Sequence, residues 1–164
     1  MKLAEALLLR SDLQKKSASL RERIVASAVV QEGDKPHEDP NELMKQAFDV
    51  HAQLEKLVAD INGTNIGAKL PDGRTLTEAM ALRDTLTSNH GLLHAAIAAT
   101  RKEPSRYGAR EIKWVSVVPV SKLQKQSDDI AKKLRTLNGM IQETNWKVDI
   151  KPSRLRSDEK GKGG

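Results

Sequence analysis

The chain has no cysteine and, in 164 residues, only four aromatic side chains: Phe48, Tyr107, Trp114 and Trp146. The first absence excludes a disulfide scaffold, a thiol nucleophile and a cysteine-based zinc site. The second leaves Leu, Ile, Val and Ala to build the core, which suits packed helices better than a sandwich or barrel. Long apolar runs are missing as well. The longest charge-free stretch, Thr85 to Thr100, is too short and too polar to cross a bilayer. The opening run M-K-L-A-E-A-L-L-L-R is interrupted by Glu5, whereas a signal peptide has a longer uncharged core and a small-residue cleavage site. A cytoplasmic protein is expected. No Gly-rich phosphate loop, serine nucleophile elbow or paired acid cluster occurs, so neither enzymatic activity nor a cofactor is expected.

What the chain does contain is a repeat of itself. L-A-E-A-L-L-L-R-S-D-L, Leu3 to Leu13, returns as L-T-E-A-M-A-L-R-D-T-L from Leu76 to Leu86, identical at six of eleven positions with an offset of 73. Leu43–Asn65 matches Leu123–Asn145 at nine of 23 positions with an offset of 80. Shared leucines follow from any two amphipathic helices. The polar identities Glu5/Glu78, Arg10/Arg83, Lys45/Lys125, Gln46/Gln126 and Asp49/Asp129 do not, and they indicate an internal duplication.

Helix one is predicted from about Lys2 to Ala28, with Leu9, Leu13, Leu20 and Ile24 inward. Gly33, Pro36 and Pro40 interrupt the chain before a second helix, with Asp39 as N-cap ahead of a first-turn proline. Its seam Leu43, Ala47, Val50, Leu54, Leu57, Ile61 has the 4-3-4-3-4 spacing of a coiled coil, and Leu123, Ser127, Ile130, Leu134, Leu137, Ile141 repeats it in helix four, capped by Ser121. Between the repeats, Asp72-Gly73 predicts a tight turn joining extended pieces Ile66–Leu70 and Arg74–Leu76. Thr75 with Glu78 forms a capping box for helix three, which is expected to run to about Lys102 with Ala79, Leu82, Leu86, Leu93 and Ile97 inward. Glu111 to Val118 reads as a strand, and Trp146 to Ile150 as extended. The expected fold class is mainly α: two pseudo-symmetric antiparallel helical hairpins, four long coiled-coil-like helices in all, with a small β element at one end. Residues 1–150 form one duplicated domain, with halves 2–70 and 75–150, and 151–164 form a basic disordered tail.

The net charge of +6 is uneven. Residues 1–28 carry six bases and three acids, 29–61 three bases and eight acids, and 101–119 five bases and two acids. The offset change from 73 to 80 makes the second linker seven residues longer than the first. The excess falls where Arg101, Lys102, Arg106, Arg110 and Lys113 alternate with Tyr107 and Trp114. Bases beside aromatics hold phosphate and stack on nucleobases, so this segment is the candidate anion or nucleic-acid site. His90 and His94 are four apart on one helix, with His51 a possible third ligand, although no HExxH motif accompanies them and no metal is expected. Thr64-Asn65 and Thr144-Asn145 are expected to end their helices, with Asn in the left-handed conformation that follows a C-terminus. Arg10 and Arg83 are expected to meet carboxylates across the pseudo-twofold axis.

The order of these segments resembles a family of small bacterial proteins carrying the label septicolysin. The resemblance covers about residues 1–150 and rests on L-A-E-A-L-L-L-R-S-D-L-Q-K, V-Q-E-G, L-P-D-G-R-T-L-T-E-A-M-A-L-R-D, R-E-I-K-W-V-S-V-V, L-Q-K-Q-S-D-D-I-A-K-K-L and I-Q-E-T-N-W. It implies a mainly helical protein with no catalytic residues to carry over. The label itself implies a membrane-active cytolysin, whereas the sequence has no tryptophan-rich docking loop. The function expected from the residues is a helical scaffold that self-associates as a dimer or higher oligomer through its heptad seams. Anion or nucleic-acid binding through 101–114 is the alternative, and membrane lysis the second alternative.

Overall fold

The computed structural model describes residues 1–101 and 115–153. It contains helices α1 (Leu3–Ser27), α2 (Pro40–Gly67), α3 (Leu76–Ala99) and α4 (Val120–Lys147). The chain divides into two compact units, Met1–Ala68 with the stretch from Glu143 onward, and Lys69–Gln142.

In the first unit α1 and α2 form an antiparallel hairpin, as the pairs Ser17/His51 and Arg23/Glu38 show. Asp39 Oδ1 accepts from the Asn41 amide at 2.9 Å, so α2 begins as its N-cap and first-turn proline dictate. Its seam is filled: Leu43, Ala47, Val50, Leu57 and Ile61 are buried and Leu54 is half-buried. The facing seam of α1 differs from the one expected. It runs Leu3, Ala6, Arg10, Leu13, Ser17, Leu20, Ile24, Ser27, alternating steps of three and four, and every member is buried or half-buried. Leu9 lies outside it at 42% exposure. A charged side chain therefore holds a core register that a leucine one position earlier had suggested otherwise.

The second unit repeats this frame in α3, whose register Leu76, Ala79, Arg83, Leu86, His90, Leu93, Ile97, Thr100 is likewise buried or half-buried throughout. Thr75 Oγ1 accepts from the Glu78 amide at 3.1 Å, and Glu78 Oε2 accepts from the Thr75 amide at 2.8 Å, completing the predicted capping box. The Asp72-Gly73 turn forms with Gly73 at φ +88°, Leu70 donating to the Arg74 carbonyl at 2.7 Å.

Five expectations are corrected. The β element reduces, among the described residues, to two isolated antiparallel bridges, Lys2 with Asp149 and Lys69 with Thr75. Both Thr-Asn pairs lie inside their helices rather than after them, and no non-glycine residue among those described has a positive φ. Thr64 Oγ1 bonds back to the Asp60 carbonyl at 2.8 Å, so α2 continues to Gly67 and leaves too few residues before the turn for a strand. Helix four starts at Val120, one residue before the expected cap Ser121, with the Pro119 carbonyl accepting the Leu123 amide at 3.0 Å. Val115–Val118 is not a strand, and the rest of that expected strand lies outside the described residues. The expected tail is held at its start: the Lys151 amide donates to Thr64 Oγ1 at 2.9 Å and the Ser153 amide to Asp60 Oδ1 at 2.6 Å.

Candidate functional site

The two hairpins share a frame but are not equally closed. The α2 seam is almost wholly buried, whereas in α3 and α4 Leu82, Leu86, Leu93, Leu123, Ile130 and Leu134 are only half-buried. Second in the α4 seam stands Ser127, 1% exposed, where the first repeat has Ala47. A hydroxyl in place of an alkyl side chain adds nothing to apolar packing.

The incompletely covered side of the α3–α4 hairpin carries two grooves. One, of about 540 Å³, has a floor of Leu82, Leu86, Leu137 and Met140 and a rim of Arg74, Lys132, Lys133 and Thr136. The other, of about 390 Å³, is lined by Asn89, Leu92, Leu93, Gln126, Asp129, Ile130 and Lys133. Rising residue numbers on α3 meet falling numbers on α4, so the helices are antiparallel, and Lys133 borders both grooves. Together they follow α4 from Gln126 to Met140, about 21 Å at the helical rise. Leu92 projects beside them at 71% exposure. Arg74 is engaged at the rim by Asp72 at 2.7 Å, while among the described residues no side-chain hydrogen bond or ion pair engages Lys132, Lys133 or Asp129. An apolar floor with a mostly basic rim suits an amphipathic helix better than a small polar substrate.

The residues singled out in sequence fall elsewhere. Arg101 is exposed just beyond α3, and Lys102, Arg106, Tyr107, Arg110, Lys113 and Trp114 lie outside the described residues. Glu5 and Glu78 are capping residues: Glu5 Oε2 accepts from the Lys2 amide at 2.7 Å, as Glu78 does from Thr75. The Glu78 carboxyl is held below its ordinary range, chiefly by the Thr75 amide and hydroxyl and then by the charges of Lys69 and Arg74. Arg83 pairs with the adjacent Asp84 at 3.3 Å rather than with a distant carboxylate. Arg10 Nε is buried without a hydrogen-bond partner among the described residues, so the expected ion pair is absent there too. Thr64 and Thr144 are buried seam residues, Asn145 is buried and Asn65 half-buried.

His51 Nε2 lies 2.8 Å from Ser17 Oγ, within the α1–α2 hairpin. The rings of His90 and His94 sit 4.4 Å apart on α3, tilted by 51°. No group of three or more His, Asp or Glu able to hold a metal ion occurs among the described residues, and no helix among them is long and apolar enough to cross a membrane.

The α3–α4 groove was missed because sequence periodicity marks which residues face a neighbouring helix, not how completely that neighbour covers them. The available signal was Ser127 at a seam position, next to the charge pattern Asp128-Asp129-Ile130-Ala131-Lys132-Lys133.

Residues 10–150 match a family described only as a family of unknown function. The fold is similar to a solved structure described as that of a functionally unknown conserved protein from Corynebacterium diphtheriae. The two share 32% sequence identity with a TM-score of 0.86, over 92% of this chain and 99% of that one. No curated protein matches the chain.

Proposed function

Since the chain belongs to that family of unknown function, DUF6847, we propose from its own geometry that it is a helical scaffold that self-associates through the α3–α4 hairpin. The observation that carries this is the unequal closure of two hairpins built on one duplicated frame. In the first, five of the six α2 seam residues are buried; the second leaves Leu86, Leu93, Leu123, Ile130 and Leu134 half-buried beside a groove and an outward Leu92. Exposed apolar side chains along a groove gain free energy when a helix covers them, at about 25 cal/mol per Å² of apolar surface. Of the described residues that recur in both halves, Glu5 and Glu78 cap their helices and Leu3 and Leu76 pack, whereas Leu92 and Lys133 of the second hairpin do not recur.

The test is light scattering over a concentration series, joined to hydrogen exchange at its two ends. Association that slows exchange in α3 and α4 supports the reading. A monodisperse monomer throughout, or protection confined to α1 and α2, removes it.

A further inference from the structure

The α3–α4 face is complementary to itself under a twofold rotation, and the geometry points to its occupant being the same face of a second copy, packed antiparallel with the axis crossing α4 at the level of Ala131. This rests on the self-association reading and adds the partner's register.

Three observations define that register. First, Asp129 and Lys133 lie on the same groove-lining side of α4, equally far from Ala131 in sequence. A twofold axis at Ala131 sets Asp129 of each copy against Lys133 of the other. Acid and base four apart in this order pair readily within one helix, yet among the described residues both lack an ion-pair partner. Second, the flanking Asp128 and Lys132 extend the pattern, so the run is acidic before Ile130-Ala131 and basic after it. Antiparallel copies set the acidic end of this run beside the basic end of the other copy, whereas parallel copies in register meet like charges.

Third, the apolar relief is matched in the same register. Leu92 lines the groove that ends at Gln126, on the N-terminal side of Ala131 along α4. The floor formed by Leu82, Leu86, Leu137 and Met140 lies on the other side, towards Met140. Rotation about Ala131 therefore carries the exposed Leu92 of one copy over that floor in the other, and the reverse. Each copy supplies one knob and one hole, as an isologous contact requires.

The first hairpin cannot do the same. At the positions equivalent to Asp129, Lys133 and Leu92 the first repeat has Asp49, Gln53 and Ser19, so both the base and the knob are missing. The base and the knob of this face are thus specific to the second copy of the duplication.

The test uses the full chain and two charge variants, Asp129→Lys and Lys133→Asp, in sedimentation equilibrium or light scattering. Each variant alone sets like charges against each other twice across the axis, and its self-association is expected to weaken by roughly tenfold or more. An equimolar mixture sets the two bases of one variant against the two acids of the other, and association is expected to return towards the wild-type level. Recovery on mixing also shows that both variants are folded. Leu92→Asp is expected to weaken association without recovery in any mixture. If the wild type associates but the charge variants do so equally tightly, or the mixture is no tighter than its components, this register is wrong while the scaffold reading stands. A wild type that stays monomeric at every concentration overturns both.

Discussion

Lys2 Nζ lies 2.8 Å from Asp149 Oδ2, so α1 begins against the segment that follows α4. The contact is more than an ion pair. Leu3 donates to the Val148 carbonyl at 2.9 Å and Ile150 to the Met1 carbonyl at 3.0 Å. The second of these is the counterpart, in the repeat, of the bond from Leu70 to the Arg74 carbonyl. Similarly, Val148 donates to Thr144 as Ala68 donates to Thr64, both at 2.9 Å.

Asp149 makes this junction sensitive to pH. Its carboxyl is held below the ordinary range, first by the hydrogen bond from Lys2, then by the charges of Lys2 and the N-terminal ammonium. A depressed folded-state value means that ionisation favours folding above the unfolded carboxylate pKa of about 3.9. The contribution is lost as pH falls through the lower folded value. Asp149→Asn is expected to lower the thermal midpoint at pH 7 and by a smaller amount at pH 2, by circular dichroism. An equal deficit at both pH values would mean that the charge is not what stabilises the junction.

Leu3 and Leu76 are repeat partners and both fully buried, 0% and 1% exposed. Truncation of either to alanine removes the same methyl groups from equivalent places. Each is expected to lose about 2–5 kcal/mol in urea unfolding. Leu8→Ala, on the exposed side of α1, is expected to change stability by no more than about 0.5 kcal/mol.

Arg10 is an unusual seam member, with Nε buried and unpartnered. Replacing it by methionine keeps the length and removes the unsatisfied donor. Arg10→Met is expected to leave stability unchanged or raise it by about 1 kcal/mol. A clear loss in urea titration would show that the guanidinium makes a contribution its contacts do not reveal.

Glycines give a contrast of sign. Gly63 and Gly139 lie inside α2 and α4 with open space where a Cβ would stand. Alanine there is expected to add about 0.5–1 kcal/mol through helix propensity. Gly73→Ala is expected to destabilise, since φ +88° places an L side chain in strain. Chemical denaturation of the three variants measures all three signs.

The helices, their starts at Asp39 and Thr75 and the turn at Gly73 were legible because each rests on local chemistry: a cap, a proline, a residue free to take positive φ. The α1 register was not. Leu9 outweighed Arg10 in hydrophobicity, yet Leu3, Ala6, Leu13 and Leu20 together demand a seam that passes through Arg10. The ends of α2 and α4 were misplaced for a similar reason. Thr64 satisfies its hydroxyl on the helix's own Asp60 carbonyl, a bond that composition does not announce. The α3–α4 groove depends on coverage by other chain segments, which no periodicity encodes.

The junction at Lys2 and Asp149 has a topological consequence. Where the first half passes from Leu70 to Arg74 through Pro71-Asp72-Gly73, the second half brings Ile150 to Met1 with the same hydrogen bond and no covalent link. A three-residue turn joining Ile150 to Met1, with a new opening at Asp72-Gly73, would produce a circular permutant. In that permutant the order of the helices changes while both junctions keep their hydrogen-bonded partners. The polypeptide thus has two equivalent places at which its backbone can be opened, each bridged by the same hydrogen bond.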